Sequence, residues 1–135
     1  MPFPNTGGGF QNGPVTSEVT LKSIPVPATA TVSATLTTAQ LTNGILLGSP
    51  ATAAAAYTLP TGASLDAELG NAIVGHSFDF AVINVDGSGS GVITMTTNTG
   101  WTLVGLMTVV ATAGTAQVFR ARKTGTGTWT LYRVG

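Results

Sequence analysis

The 135-residue chain contains no cysteine, which removes disulfide staples, thiolate nucleophiles and thiolate metal sites from its possible chemistries. Charge is almost as scarce. Only 7% of residues are Asp, Glu, Lys or Arg, and five basic side chains cancel five acidic ones, where an average soluble domain carries about a quarter charged residues. Nucleic acids and anionic membranes are held through dense Lys/Arg surfaces, so a neutral chain of pI near 6.5 is expected to bind neither. The same scarcity argues for assembly, because a lone small domain keeps itself dispersed with surface charge. No apolar run approaches the roughly 20 residues of a membrane helix. The first residues have neither a basic n-region nor an apolar h-region, so no secretory signal peptide is expected.

What is present is apolar and strand-like. Hydrophobic residues make up 43% of the chain and mean hydropathy is +0.37, enough to bury the core of one domain. All seven prolines lie at or before Pro60. Residues 1–14 combine Pro2, Pro4, Pro14 and a Gly7–Gly9 run, which suits neither a helix nor a central strand, and they read as a flexible or extended N-terminal arm. Its only large side chains are Phe3 and Phe10, roughly 20 Å apart on an extended chain, a spacing that lets both plug into a neighbouring surface.

From residue 15 to 135 the sequence reads as a single β-domain. Thr, Val and small residues alternate with period 2 over 16–21, 30–36, 44–47, 56–59, 77–85, 92–97, 102–104, 107–111, 116–122 and 128–134. One short helix is expected over 63–70, with Leu65 and Leu69 on one face and Gly70 as its stop. Phe78, Phe80 and Val82 share a strand face, and Phe78 and Phe80 head the expected core. The Gly-rich run 86–91 reads as the turn of a hairpin between 77–85 and 92–97. A second hairpin with loop 124–127 places Arg122 opposite Trp129 and Arg120 opposite Leu131, with Arg122 stacked on the indole. The pattern as a whole predicts an all-β fold, an antiparallel jelly-roll-like sandwich or small barrel with one short helix and an extended N-terminal arm.

No constellation carries chemistry, and the chain is not expected to be an enzyme. His76 is the only histidine, and on a strand it points to the face opposite Ser77, so the two do not make a base and nucleophile pair. Asp66 and Glu68 diverge on a helix, which suits a solvated face or the partner of an arginine rather than a glycosidase pair. Asp86 opens a run like a calcium loop, but the twelfth position is Thr97 rather than a bidentate Glu. The glycines 87, 89 and 91 miss the phosphate-loop spacing and precede no helix. No catalytic residue, cofactor site or metal site is read. Arg120, Arg122 and Arg133, with Trp129 and Tyr132 on the same final hairpin, have instead the composition of a subunit or capsid interface.

Four runs carry a resemblance. They are Tyr57-Thr-Leu-Pro-Thr-Gly-Ala-Ser-Leu-Asp-Ala, Val74-Gly-His-Ser-Phe-Asp-Phe-Ala-Val-Ile-Asn, Gly100-Trp-Thr-Leu-Val-Gly, and Val118-Phe-Arg-Ala-Arg-Lys-Thr-Gly-Thr-Gly-Thr-Trp-Thr-Leu-Tyr-Arg-Val-Gly135. Over about the last three-fifths of the chain they resemble capsid decoration, or cement, proteins of tailed bacteriophages. The resemblance implies a homotrimer on the outer capsid surface of the virion, made in the host bacterial cytoplasm. It also implies the major capsid protein as partner, with Phe3 and Phe10 as candidate contacts of a capsid-binding arm. Two alternatives stand beside it: a head- or tail-fibre module, and a carbohydrate-binding lectin-like domain using Trp101, Trp129, Tyr57 or Tyr132 as aromatic platforms.

Overall fold

Ten strands and two short helices follow one another in the computed structural model, which describes residue 21 and residues 23–135. The expected arm 1–14, with Phe3 and Phe10, lies outside the described residues, as does most of the expected strand 16–21. The strands are β1 (Ala28–Ala30), β2 (Ala34–Thr35), β3 (Ile45–Gly48), β4 (Ala55–Thr58), β5 (Ser77–Asn84), β6 (Ile93–Thr96), β7 (Trp101–Val104), β8 (Thr108–Val109), β9 (Thr115–Gly125) and β10 (Thr128–Arg133). Helix α1 (Thr38–Thr42) lies between β2 and β3, and α2 (Gly62–Glu68) between β4 and β5.

The fold is β-rich, but its strands are not arranged as an antiparallel sandwich. They form a six-stranded sheet in the order β1-β3-β5-β9-β10-β7 and a four-stranded sheet in the order β2-β4-β6-β8. The first six strands alternate between the two sheets, so each sheet grows by parallel addition: β1, β3 and β5 in one, β2, β4 and β6 in the other. Parallel neighbours require a crossover, and here each crossover is a strand of the opposite sheet, with a helix in the two longer connections that contain one. Antiparallel pairing is confined to β5–β9, β9–β10 and β6–β8, while β7 runs parallel to β10. Parallel partners lie unevenly apart in sequence, as Ala28 with Leu46 and Leu46 with Val82 show. No fixed repeat period therefore marks the winding.

The hairpin expected between 77–85 and 92–97 does not form. Both edges of β5 are occupied, by β3 and β9, and β6 pairs with β4 and β8 in the other sheet. The Gly-rich run is a bridge between sheets. The expected strand 30–36 is likewise two strands in different sheets, broken where Ser33 Oγ accepts the Ala56 N–H at 2.8 Å. The turn after it becomes α1 because Thr37 and Gln40 make a reciprocal capping box: Thr37 Oγ1 accepts the Gln40 N–H at 3.1 Å and Gln40 Oε1 accepts the Thr37 N–H at 2.8 Å. In α2, Thr61 Oγ1 accepts the Ser64 N–H at 3.1 Å, a single cap with no reciprocal bond.

One core draws on both sheets. Leu46, Phe80, Val82, Phe119, Trp129 and Leu131 of the six-stranded sheet cluster with Tyr57, Ile93, Met95 and Val109 of the four-stranded one, closed by Leu41 and Leu65 from the helices. Tyr57 crosses this core fully buried, and its hydroxyl reaches the carbonyls of Ala30 and Thr31 at 3.0 and 3.1 Å. Burial pushes its phenol above the ordinary tyrosine range. Since Ala30 O also accepts the Ser49 N–H, Tyr57→Phe orphans only one carbonyl. We expect it to cost about 1 kcal/mol, read as a melting temperature lower by roughly 3 °C. A loss several times larger would show that this bond anchors β1 more firmly.

Candidate interaction surface

The final hairpin is built on Trp129, which is 1% exposed. A register shift between Thr128 and Trp129 displaces the expected pairing by one residue, so that Trp129 lies opposite Lys123, Thr130 opposite Arg122 and Tyr132 opposite Arg120. The extra residue is that of a β-bulge at the hairpin end. The cation over the indole is therefore Lys123, its Nζ 5.7 Å from the ring centroid, and Arg122 projects from the opposite face.

Beneath this hairpin, Asp66 of α2 gathers three donors. Its carboxylate accepts the Gly127 N–H at 2.5 Å, the Trp129 Nε1–H at 2.9 Å and the Lys123 ammonium at 2.6 Å. The Lys123 bond foremost, helped by Gly127 and Trp129, holds the carboxyl below the usual aspartate range against the opposing effect of burial. Asp66 is thus a tie between helix and hairpin rather than a solvated helix charge. Backbones meet at the same place: a Cβ on Gly62 or Gly100 would collide with the Gly127 carbonyl oxygen. Glu68, two positions along α2, stays exposed.

The outer face of the six-stranded sheet has a different character. Cross-strand registers set Leu47 beside Ile83, and Ile45 beside Ala81 and Val118. The Val134 N–H extends the second row by bonding to the Val118 carbonyl. The next row is Asp79, Arg120, Tyr132 and Val104, and the last is Ser77, Arg122, Thr130 and Thr102. Apolar side chains thus pass gradually into polar ones. Val104, Val118 and Val134 are 47%, 36% and 46% exposed. Asp79 and Arg120 neutralise each other through paired bonds of 2.7 and 3.0 Å, and the guanidinium holds the Asp79 carboxyl below its ordinary range.

An open cleft of about 560 Å³ lies where β5 meets the ends of both helices. Phe78, Leu69, Ala72 and the edge of Trp129 make its apolar lining, while Thr42, Glu68, Asn71, His76, Ser77 and Asp79 supply polar groups. His76 is held in a turn, its Nδ1 accepting the Ile73 N–H at 3.3 Å. Among the described residues no cluster of three or more His, Asp or Glu could hold a metal ion, and no helix is long and apolar enough to cross a membrane.

Of the hairpin residues singled out in the sequence, the structure brings Arg120, Arg122 and Tyr132 onto the outer face. Trp129 goes to the core, and Arg133 is half-buried with its Nε donating to Gln117 Oε1 at 2.8 Å. The apolar rows carry a signal in the sequence: Ala-Val-Ile of β5 and Ile-Leu-Leu of β3 are apolar at consecutive positions, which places an apolar side chain on both faces of a strand. Asp66 carried no such signal, because its partners lie 61 and 63 residues away.

No protein-family model matches the chain, and no curated protein or solved structure was found to match it.

Proposed function

We propose that the chain is a non-enzymatic structural protein of a tailed-bacteriophage virion, a decoration or cement protein that binds the major capsid protein on the outside of the head as a homotrimer. The observation that carries this reading is the outer face of the six-stranded sheet, whose two adjoining apolar rows contain no charge. Exposure across the described residues points the same way: twelve large hydrophobic side chains are exposed, against eight charged residues in total. An apolar surface of that kind marks a contact with protein. On this reading the two sheets form a sandwich-like body, jelly-roll-like in its layering rather than in its strand directions. The protein is made in the bacterial cytoplasm, and the shell is strengthened by occupation of many equivalent sites.

The lectin alternative loses ground on one observation. A sugar platform needs an accessible aromatic face, and Tyr57, Trp101 and Trp129 are 0%, 8% and 1% exposed. Only Tyr132 of the four candidates remains.

A charge placed in the apolar row tests the reading. Val118→Lys is expected to leave the circular dichroism spectrum unchanged and to weaken self-association and capsid co-sedimentation at least tenfold, because an unpaired ammonium is costly in a dry interface. Thr102→Lys, in the polar row, is expected to behave as wild type. Undiminished assembly of Val118→Lys would contradict the proposal.

A further inference from the structure

The cleft beside β5 contains an unfinished sheet edge. In β5, even-numbered residues bond to β9 and odd-numbered ones face β3, as the Ala81 N–H to Gly44 O and Val85 N–H to Gly48 O bonds show. Strand β3 begins at Ile45, opposite Ala81. Ser77 and Asp79 therefore extend past the end of β3, with their N–H and C=O groups aimed along its line into the cleft. Among the described residues none of these four groups has a backbone partner on that side. Backbone groups in such a setting are ordinarily paired, and an open edge beside an apolar hollow takes an added strand, with main-chain bonds giving affinity and a side-chain pocket giving selectivity. Phe78, Leu69 and Ala72 give the hollow an apolar surface against which a large side chain can pack.

We infer that this edge receives an extended segment of this same chain, residues 8–11, with Phe10 seated against Phe78. The path of the chain supports that occupant. Asn43 Nδ2 donates to the Val26 carbonyl at 2.9 Å and Gln40 Nε2 to the Thr29 carbonyl at 2.8 Å, so the segment 26–29 runs beside α1, whose Thr42 lines the cleft. The eleven residue steps from Phe10 to Leu21 span up to about 35 Å, enough to reach the cleft of the same copy or of an adjacent one. Gly8-Gly9-Phe10-Gln11 keeps every N–H available in either strand direction. Phe3 is less suited because Pro2 and Pro4 flank it without donors.

The inference does not depend on the capsid reading, since its test uses the isolated full-length protein. A photo-reactive phenylalanine analogue placed at position 10 is expected to crosslink to residues 69–78, and mixing isotopically heavy and light copies sorts crosslinks within a copy from those between copies. Either origin supports the inference. Independently, the Ser77 and Asp79 amides are expected to exchange with deuterium at least tenfold faster in Phe10→Ala than in the wild type. Crosslinks confined to other surfaces, or equal exchange of these amides in the two proteins, would overturn it.

Discussion

Asp66→Ala is expected to lower stability by about 2–4 kcal/mol, the cost of leaving a buried indole N–H and a turn N–H without an acceptor while losing an ion pair of low exposure. For a chain of this length that is a fall in melting temperature of roughly 6–15 °C. Asp66 meets Gly127, Trp129 and Lys123 at 2.5, 2.9 and 2.6 Å, and the side chains of Asp66 and Lys123 are only 19% and 11% exposed. Asp66→Asn retains an acceptor and should lose about half as much. The pH dependence has a definite sign. A carboxyl whose pKa is lower folded than unfolded contributes stability above the ordinary aspartate range, and that contribution disappears as pH falls through the folded value. Wild-type stability should accordingly decline on acidification below about pH 4, and the Asn variant should decline less over the same interval. Parallel acid limbs in thermal melts of the two proteins would show that the carboxylate is not a tie.

Asn84→Ala is expected to cost about 3–5 kcal/mol and to loosen both connections at that end of the sheets. Asn84 is fully buried, and its side chain is satisfied at every contact the structure provides. Nδ2 donates to the Gly91 carbonyl at 2.9 Å and the Val110 carbonyl at 3.0 Å, while Oδ1 accepts the Gly87 N–H at 2.6 Å. It fastens the β5–β6 bridge to the β8–β9 loop, so truncation leaves the Gly91 carbonyl and the Gly87 N–H unmet, each worth about 1–3 kcal/mol when buried, while the Val110 carbonyl keeps the Thr112 N–H. Asn84→Asp is the sharper variant at neutral pH, because it sets a carboxylate against two carbonyl oxygens. Its stability should recover partly in acid as that carboxyl is protonated, the opposite sign to Asp66. Denaturant unfolding at pH 4 and pH 7 separates the cases, and an Asp variant as stable as wild type at pH 7 would refute this role.

These two residues mark the limit of what could be read from the chain. Alternation identified most strands, and Phe80 of the expected core is 2% exposed, because period 2 and burial are properties of a few neighbouring residues. Pairing is not local. The same alternation in Ser77–Asn84 serves a hairpin or a central strand, and only the whole fold settles that β3 and β9 claim its two edges. Register failed by a single residue at Trp129, where one bulge exchanges Arg122 for Lys123 over the indole. Helix α1 was legible in retrospect through Thr37 and Gln40, a capping box hidden in a Thr-rich stretch whose composition favours strands. Val32 is 73% exposed while Leu36 and Leu41 in the same stretch are 2% and 0%, because the bend at Ser33 turns the chain between sheets.

The outer-face surface was half legible. Arg120, Arg122 and Tyr132 were recognised as a group from their place on one hairpin. The apolar rows beside them join Val118 and Val134 of that hairpin to residues of β3 and β5, which reach it only through sheet order. Scarcity of charge was the stronger indication, and it is a property of the whole chain that no individual residue displays. The two residues that depart most from a surface role are Trp129, taken into the core, and Arg133, half-buried beside Gln117.

The molar mass in solution, measured by light scattering coupled to size-exclusion chromatography at physiological salt, addresses assembly most directly. A particle of three times 13.5 kDa is the expected result, insensitive to moderate salt because the contact is apolar rather than ionic. A single species of 13.5 kDa across the same concentration range would contradict it, leaving the two uncharged apolar rows of the six-stranded sheet exposed on an isolated molecule.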